Sequence, residues 1–208
     1  MLIFNLFTNP WEFLSFIIAL LAALTIHEFS HAWTANFFGD PTAKNHGRLT
    51  LNPIAHLDPL GTIFLLLAGF GWGKPVPIDP NNFKNPKLDN ITVSLAGPIS
   101  NLILAIFLGL IYRFFNLPLL LEQFFALMIF FNLVLMIFNL LPIPPLDGSK
   151  ILSLFMNEET FYFLQQTGIT LLFVILIFSS FFFPVIPNLI SKAVSFFFMV
   201  ITGKPIIL

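Results

Sequence analysis

Runs of apolar residues long enough to cross a bilayer constrain this chain more than any other feature. The first extends from about Trp11 to Phe38, and others cover about Ile91 to Phe114, Leu121 to Leu141 and Phe161 to Phe183. About 20 consecutive apolar residues make a helix that spans the hydrocarbon core. A last run, about Val185 to Ile201, is interrupted by Pro187 and Lys192. No polar stretch between the runs is long enough for a soluble domain, and charged residues make up 9% of the chain, against about 25% in soluble domains. The expectation is an all-α polytopic membrane protein of five to six membrane segments, forming one membrane-embedded domain over residues 1–208. A net charge of −1 gives no basis for capturing nucleic acid. The absence of cysteine excludes disulfides, thiolate catalysis and cysteine-ligated zinc. The opening MLIFNLFTNP lacks the basic n-region of a cleavable signal, so the first span is expected to stay as an anchor.

One apolar run is too short to cross. Residues from about Leu57 to Gly71 include Pro59, Gly61, Gly69 and Gly71 and read as a re-entrant segment. Basic residues flank it on both sides: Lys44 and Arg48 before, Lys74, Lys84 and Lys87 after. If the run dips in and returns, both basic loops are cytosolic and the N-terminus is outside, as the positive-inside rule prefers. Lys150 then falls on the cytosolic side and Arg113 on the external side. The stretch GWGKPVPIDPNNFKNPKLDN that follows is rich in Pro, Gly and Asn and has room for a small β-hairpin.

Within the first span lies TIHEFSHAW, residues 25 to 33. Ionisable groups in a membrane cost about 2.5–3.5 kcal/mol each on the insertion scale, so three clustered ones need compensation. Four residues turn a helix by about 400°, so His27 and His31 project from one face. This is H-E-x-x-H: two neutral imidazoles bind zinc and Glu28, rotated about 100° from His27, serves as general base. A catalytic zinc takes three protein ligands and leaves one position open. Candidates for the third are His46, His56, Asp58 and Asp147. His46 sits in a basic polar loop, and Asp58 is placed to cap the re-entrant segment. Asp147 stands in NLLPIPPLDG, residues 139 to 148, where three prolines forbid regular helix and Gly148 permits an unusual dihedral. Asp147 is the expected third ligand. His27 lies about sixteen residues into an inward-running helix, roughly 24 Å along its axis. Asp147 ends another helix running the same way, so both reach the cytosolic part of the membrane.

HEFSH on the first span and N-x-x-P-x-P-x-x-D-G after a later one resemble the site-2 protease family of intramembrane metalloproteases. The stretches GRLTLNPIAHLDPLGTI (47 to 63), GWGKPVPID (71 to 79) and AGPISNL (96 to 102) are similar to it as well. The resemblance implies one Zn²⁺ per chain held by His27, His31 and Asp147, with Glu28 activating water. It implies a catalytic core over about residues 11–150, followed by C-terminal membrane helices over about 160–203. Implied substrates are transmembrane segments of other proteins, cleaved near the cytosolic face of the cell membrane in regulated intramembrane proteolysis. The chain has room for neither the PDZ nor the CBS domains of some members, so a compact branch regulated by another membrane protein, by lipid or by substrate trimming is expected. Asn101 is read either as an interhelical hydrogen bond or as a donor to the substrate carbonyl or oxyanion, and the G-P-x-x-N resemblance favours the second. His56 could stabilise an oxyanion or bind substrate, or sit at the lipid interface without function. Asn139 could orient the Pro-rich turn or end its helix. Two other classes share these residues: a metal transporter using the His/Asp cluster, which would be expected to show repeated halves, and a catalytically inactive binding homologue. The oligomeric state is not legible.

Overall fold

The fold is taken from a computed structural model, which describes residues 9–68, 71–181 and 184–206; the signal-peptide reading of the first eight residues lies outside these. Seven α-helices are described: α1 (Pro10–Phe37), α2 (Thr42–Asn45), α3 (Pro59–Ala68), α4 (Pro86–Phe114), α5 (Leu119–Asn139), α6 (Glu158–Phe181) and α7 (Val185–Thr202). Among the described residues, α1, α4, α5 and α7 are long and apolar enough to cross a membrane. Each apolar run of the sequence became a helix, with ends shifted by a few residues. Prolines account for much of the difference, because Pro10, Pro59 and Pro86 start their helices at the first turn, where a missing N–H costs nothing.

Helices α1, α4 and α5 pack against one another through small side chains. The buried residues of α1 include Ala19, Ala23, His27, His31 and Ala35, a strict spacing of four that forms one ridge along the helix. Alanine lets neighbouring backbones approach closely, as helix contacts in lipid require. The two histidines continue the same ridge into the protein. Ala23 and Ala19 meet Phe131 of α5, while Ala35 meets Val93 of α4 and Phe83. A second core joins α4, α5 and α7 around Leu108, Ile129, Leu133 and Phe198. The outward faces carry exposed Phe107, Phe114, Phe163, Phe173 and Phe196, apolar surface suited to lipid rather than water.

The two ends of the short apolar run come back together. Leu57 and Gly73 form an antiparallel bridge, and Lys74 N–H donates to His56 O at 2.8 Å. The chain therefore returns beside the point where it left. A Cβ on Gly61 would strike the backbone of Trp72, so glycine is required there by close approach. In place of a β-hairpin, the described residues hold this one isolated bridge and no strand. The prolines at 75 and 77 cannot donate to a ladder.

Asp40, fully buried just past α1, ties the two basic loops together. Its Oδ1 accepts from Thr42 N at 3.0 Å and Asn82 Nδ2 at 2.8 Å, and its Oδ2 accepts from Asp79 N at 2.9 Å. The loops before and after α3 thus lie at the same end of the molecule. Arg113 is at the opposite end, where its Nη1 donates to Val200 O and Lys204 pairs with Glu122 at 2.8 Å.

Candidate metal centre

Three side chains from two distant segments converge beside the Gly97–Pro98 step of α4. His27 Nε2 and His31 Nε2 are 3.0 Å apart. Asp147 Oδ2 lies 3.1 Å from the first and 3.3 Å from the second. Among the described residues this is the one group of three or more His, Asp or Glu that could hold a metal ion. Both histidines are buried, and the Asp147 side chain is 19% exposed.

The hydrogen bonds on the far side of each ring decide what the near side offers. His31 Nδ1 faces Val93 O at 2.7 Å. A carbonyl only accepts, so Nδ1 carries the proton and Nε2 presents a lone pair. His27 Nδ1 faces Asn101 Oδ1 at 2.6 Å. The Asn101 amide nitrogen donates to Ala23 O at 3.0 Å and to Asn132 Oδ1 at 2.8 Å, so its oxygen is the atom turned to His27. Again Nδ1 is protonated and Nε2 is a lone pair. Asp147 Oδ2 is buried without a hydrogen-bond donor. With both imidazoles neutral, the form in which they bind a metal, three acceptors face one another across about 3 Å, an arrangement that a cation among them would relieve.

Zinc fits this arrangement. Bonds of about 2.0–2.1 Å in a tetrahedron place neighbouring ligand atoms about 3.3 Å apart, close to the separations observed. The space is kept open by Gly97. A Cβ there would lie 2.7 Å from His27 Nε2 and collide with His31 Nε2, filling the volume an ion would need. Two neutral imidazoles and one carboxylate would leave an ion of charge +2 with a net +1, which an anion such as hydroxide would offset.

Local structure explains how Asp147 arrives. After α5, Pro142, Pro144 and Pro145 break the helix, with a cis peptide between Pro144 and Pro145. A 3-10 segment, Asp147–Leu154, then begins at the aspartate itself. Gly148 does not adopt a positive φ, contrary to the expectation from sequence. It is glycine because a Cβ would meet the backbone carbonyl region of Leu140 and Leu141. Helix α6 supports the turn from behind. Gly168 packs on Pro144, Gln165 Nε2 donates to Ser149 Oγ at 3.1 Å, and Lys150 Nζ donates to Gln165 Oε1 at 2.7 Å. Burial lowers the Lys150 pKa, an effect the charge of Asp147 opposes.

The other expected site residues are distributed unevenly. Glu28 is half-buried, one residue round the helix from His27. Asn101 touches the cluster, but both hydrogens of its amide are committed to Ala23 O and Asn132, so the expected donation to substrate or oxyanion has no free proton behind it. The interhelical reading fits better, with His27 as the group it orients. His56 is fully buried, not at a lipid interface, and its Nε2 donates to Thr50 O at 2.8 Å. That N–H is committed to the Thr50 carbonyl, and the His56 carbonyl in turn anchors Lys74. Asn139 Nδ2 bonds Leu135 O at 3.0 Å, ending its own helix rather than orienting the Pro-rich turn. His46 is exposed, and Asp58 caps α3 by accepting from Gly61 N at 2.8 Å.

Besides Gly97, two residues escaped the sequence reading. Asn132 is one; its helix is so apolar that a single Asn read as background. Arg48 is the other. Read only as a marker of topology, it is 4% exposed, donates from Nη2 to Lys74 O, and leaves Nε and Nη1 without partners. Burial lowers its pKa, and the charge of Glu28 opposes that shift. Arg48 therefore holds the 71–79 segment within electrostatic reach of Glu28. Gly73 of the same segment rests on Leu24, 3.0 Å from where a Cβ would be, one turn before His27 on α1.

The sequence has relatives. The family model described as peptidase family M50 matches residues 15–123 and 117–183. The protein named "Putative zinc metalloprotease YwhC" of Bacillus subtilis (strain 168) is 52% identical over 146 residues, 66% of this chain and 67% of that protein. Proteins named "Putative zinc metalloprotease Rip2" from Mycolicibacterium smegmatis and from Mycobacterium tuberculosis (strain H37Rv) are each 36% identical, over 155 and 154 residues. Those alignments cover 71% of this chain and 60% of each Rip2 protein. No solved structure matches.

Proposed function

The chain belongs to peptidase family M50, the site-2 protease family, and from that premise we propose that it is a zinc-dependent endopeptidase that cleaves other membrane proteins within or near their transmembrane segments. The observation that carries the reading is the convergence of three metal-ligating atoms, His27 Nε2, His31 Nε2 and Asp147 Oδ2, beside a glycine whose missing side chain leaves room for an ion. His27, His31 and Asp147 would hold the zinc, one per chain. When bound, zinc supplies Lewis acidity, bringing the pKa of water to about 7 and polarising a peptide carbonyl.

Glu28 performs the proton chemistry. It accepts a proton from the attacking water as oxygen adds to the scissile carbonyl carbon. It returns that proton to the amide nitrogen as the C–N bond breaks, and the new carboxyl group gives its own proton to the amine, so the products are a carboxylate and an ammonium group. Arg48 keeps a positive charge within electrostatic reach of Glu28.

A helical peptide bond is shielded because its carbonyl is bonded to the amide four residues on, so the substrate must unwind. The segment 71–75 offers a place for it. Leu57 and Gly73 form the non-hydrogen-bonded pair of their bridge, since Lys74 N–H is the group that reaches His56 O. The N–H and C=O of Gly73 therefore point away from residue 57. An unwound substrate pairs with that edge by strand addition, laid along the α1 face that carries Leu24 and Glu28. The active centre faces the cytosol, at the end of the molecule that gathers Lys44, Lys74, Lys84 and Lys87.

The test is cleavage of a model transmembrane substrate by purified protein. Glu28→Gln is expected to lower kcat by about 10²–10⁴-fold while retaining zinc, and a chelator is expected to abolish cleavage until zinc is restored. Cleavage insensitive to both would sink the metalloprotease reading.

A further inference from the structure

We propose that Asn132 on α5 is a positioning residue for the metal centre, holding His27, through Asn101, in the tautomer and orientation that present Nε2 to the ion. The inference rests on the metal reading above and assigns a role to a residue outside every motif that carries the family resemblance.

The relay runs inward from groups that can only accept. Met128 O takes a hydrogen from Asn132 Nδ2 at 2.7 Å, which turns Asn132 Oδ1 toward Asn101. Asn101 Nδ2 gives one hydrogen to that oxygen at 2.8 Å and the other to Ala23 O at 3.0 Å. Held at both hydrogens, the amide plane cannot rotate, and its oxygen meets His27 Nδ1 at 2.6 Å. Each link leaves the next one choice. Both asparagines are 0% exposed, so no water can take over a broken link without opening the packing of α1, α4 and α5.

His31 needs nothing comparable, because a backbone carbonyl, Val93 O, sets its tautomer directly. The two ligands are therefore supported unequally: one by backbone, the other by a relay of two side chains across three helices. Partners of this kind typically change metal affinity by 10–100-fold when removed. Losing Asn132 would leave an Asn101 N–H buried and unbonded, and the amide would be free to turn its oxygen away from His27.

Asn132→Val and Asn132→Thr form the discriminating pair, since they have the same shape and differ by a hydroxyl. The threonine Oγ1 donates to Met128 O, four residues back, as hydroxyls on apolar helices do, and its lone pairs accept from Asn101. Valine offers neither. The measurement is Zn²⁺ affinity of detergent-purified protein by competition with a chromophoric chelator, with the visible absorption of the Co²⁺-loaded protein as a report on ligand geometry. The valine variant is expected to lose about 10–100-fold in affinity and to shift the Co²⁺ band, and the threonine variant to stay near wild type in both. Metal-free helicity and elution volume check folding; if the valine protein does not fold, Asn132→Ala against Asn132→Ser makes the same comparison. Equal affinity and equal Co²⁺ spectra across a folded pair would overturn the relay while leaving the protease reading intact. Wild-type protein that binds neither ion would overturn the metal reading, and the relay with it.

Discussion

At the scale of single residues, the site is defined as much by an absent side chain as by those present. Gly97 brings the backbone of α4 against both imidazoles, so Gly97→Ala is expected to weaken zinc binding by at least about tenfold without unfolding the helix, measured by the same chelator competition. Asp40 makes a different prediction. Burial would raise its pKa, but hydrogen bonds from the Thr42 hydroxyl and amide, the Asp79 amide and Asn82 outweigh that and lower it. A carboxylate depressed in the folded state adds stability above its unfolded pKa and loses it as pH falls through the folded value. The melting difference between wild type and Asp40→Asn is therefore expected to be constant near neutrality and to shrink below about pH 4. The residues legible from sequence were those whose chemistry demands a fixed spacing: His27 and His31 one turn apart, Asp147 beside a Pro-rich break. Asn132, Gly97 and Arg48 were not legible, because a lone amide, a glycine or a basic loop residue acquires meaning only from what the fold sets against it.

At the scale of elements, the short helix α3 and the extended return after it form one unit. Helix spans were readable because apolar length alone specifies them, and the non-helical 71–79 stretch because Pro75 and Pro77 forbid helix. The hairpin was not, since pairing depends on which backbone groups remain free once Arg48 and His56 have taken those of Lys74. If Gly73 offers its N–H to an unwound substrate, Gly73→Pro removes one hydrogen bond of strand addition. That change is expected to lower kcat/KM by roughly two- to tenfold with zinc affinity unchanged. A full loss of zinc in that variant would mean the edge supports the metal ligands rather than the substrate.

At the scale of the molecule, the two basic loops share one end because Asp40 reaches across to Asp79 and Asn82. The chain contains no cysteine, so single cysteines report sidedness cleanly. Lys44→Cys and Lys84→Cys are expected to react with a membrane-impermeant thiol reagent from the same face of the membrane, and Arg113→Cys from the other. Labelling of Lys44→Cys and Lys84→Cys from opposite faces would turn α3 into a full crossing. The same whole-chain view gives the distance between the ligands a temporal meaning. His27 and Asp147 are 120 positions apart, and a ribosome adding about 5–20 residues per second needs roughly 6–24 s to pass from one to the other. Throughout that interval the nascent chain sits in the membrane with two histidines and a glutamate but no third ligand. If the proposed ligand set is right, a protease built this way is born unarmed, its metal centre incomplete until its own third long span is in place.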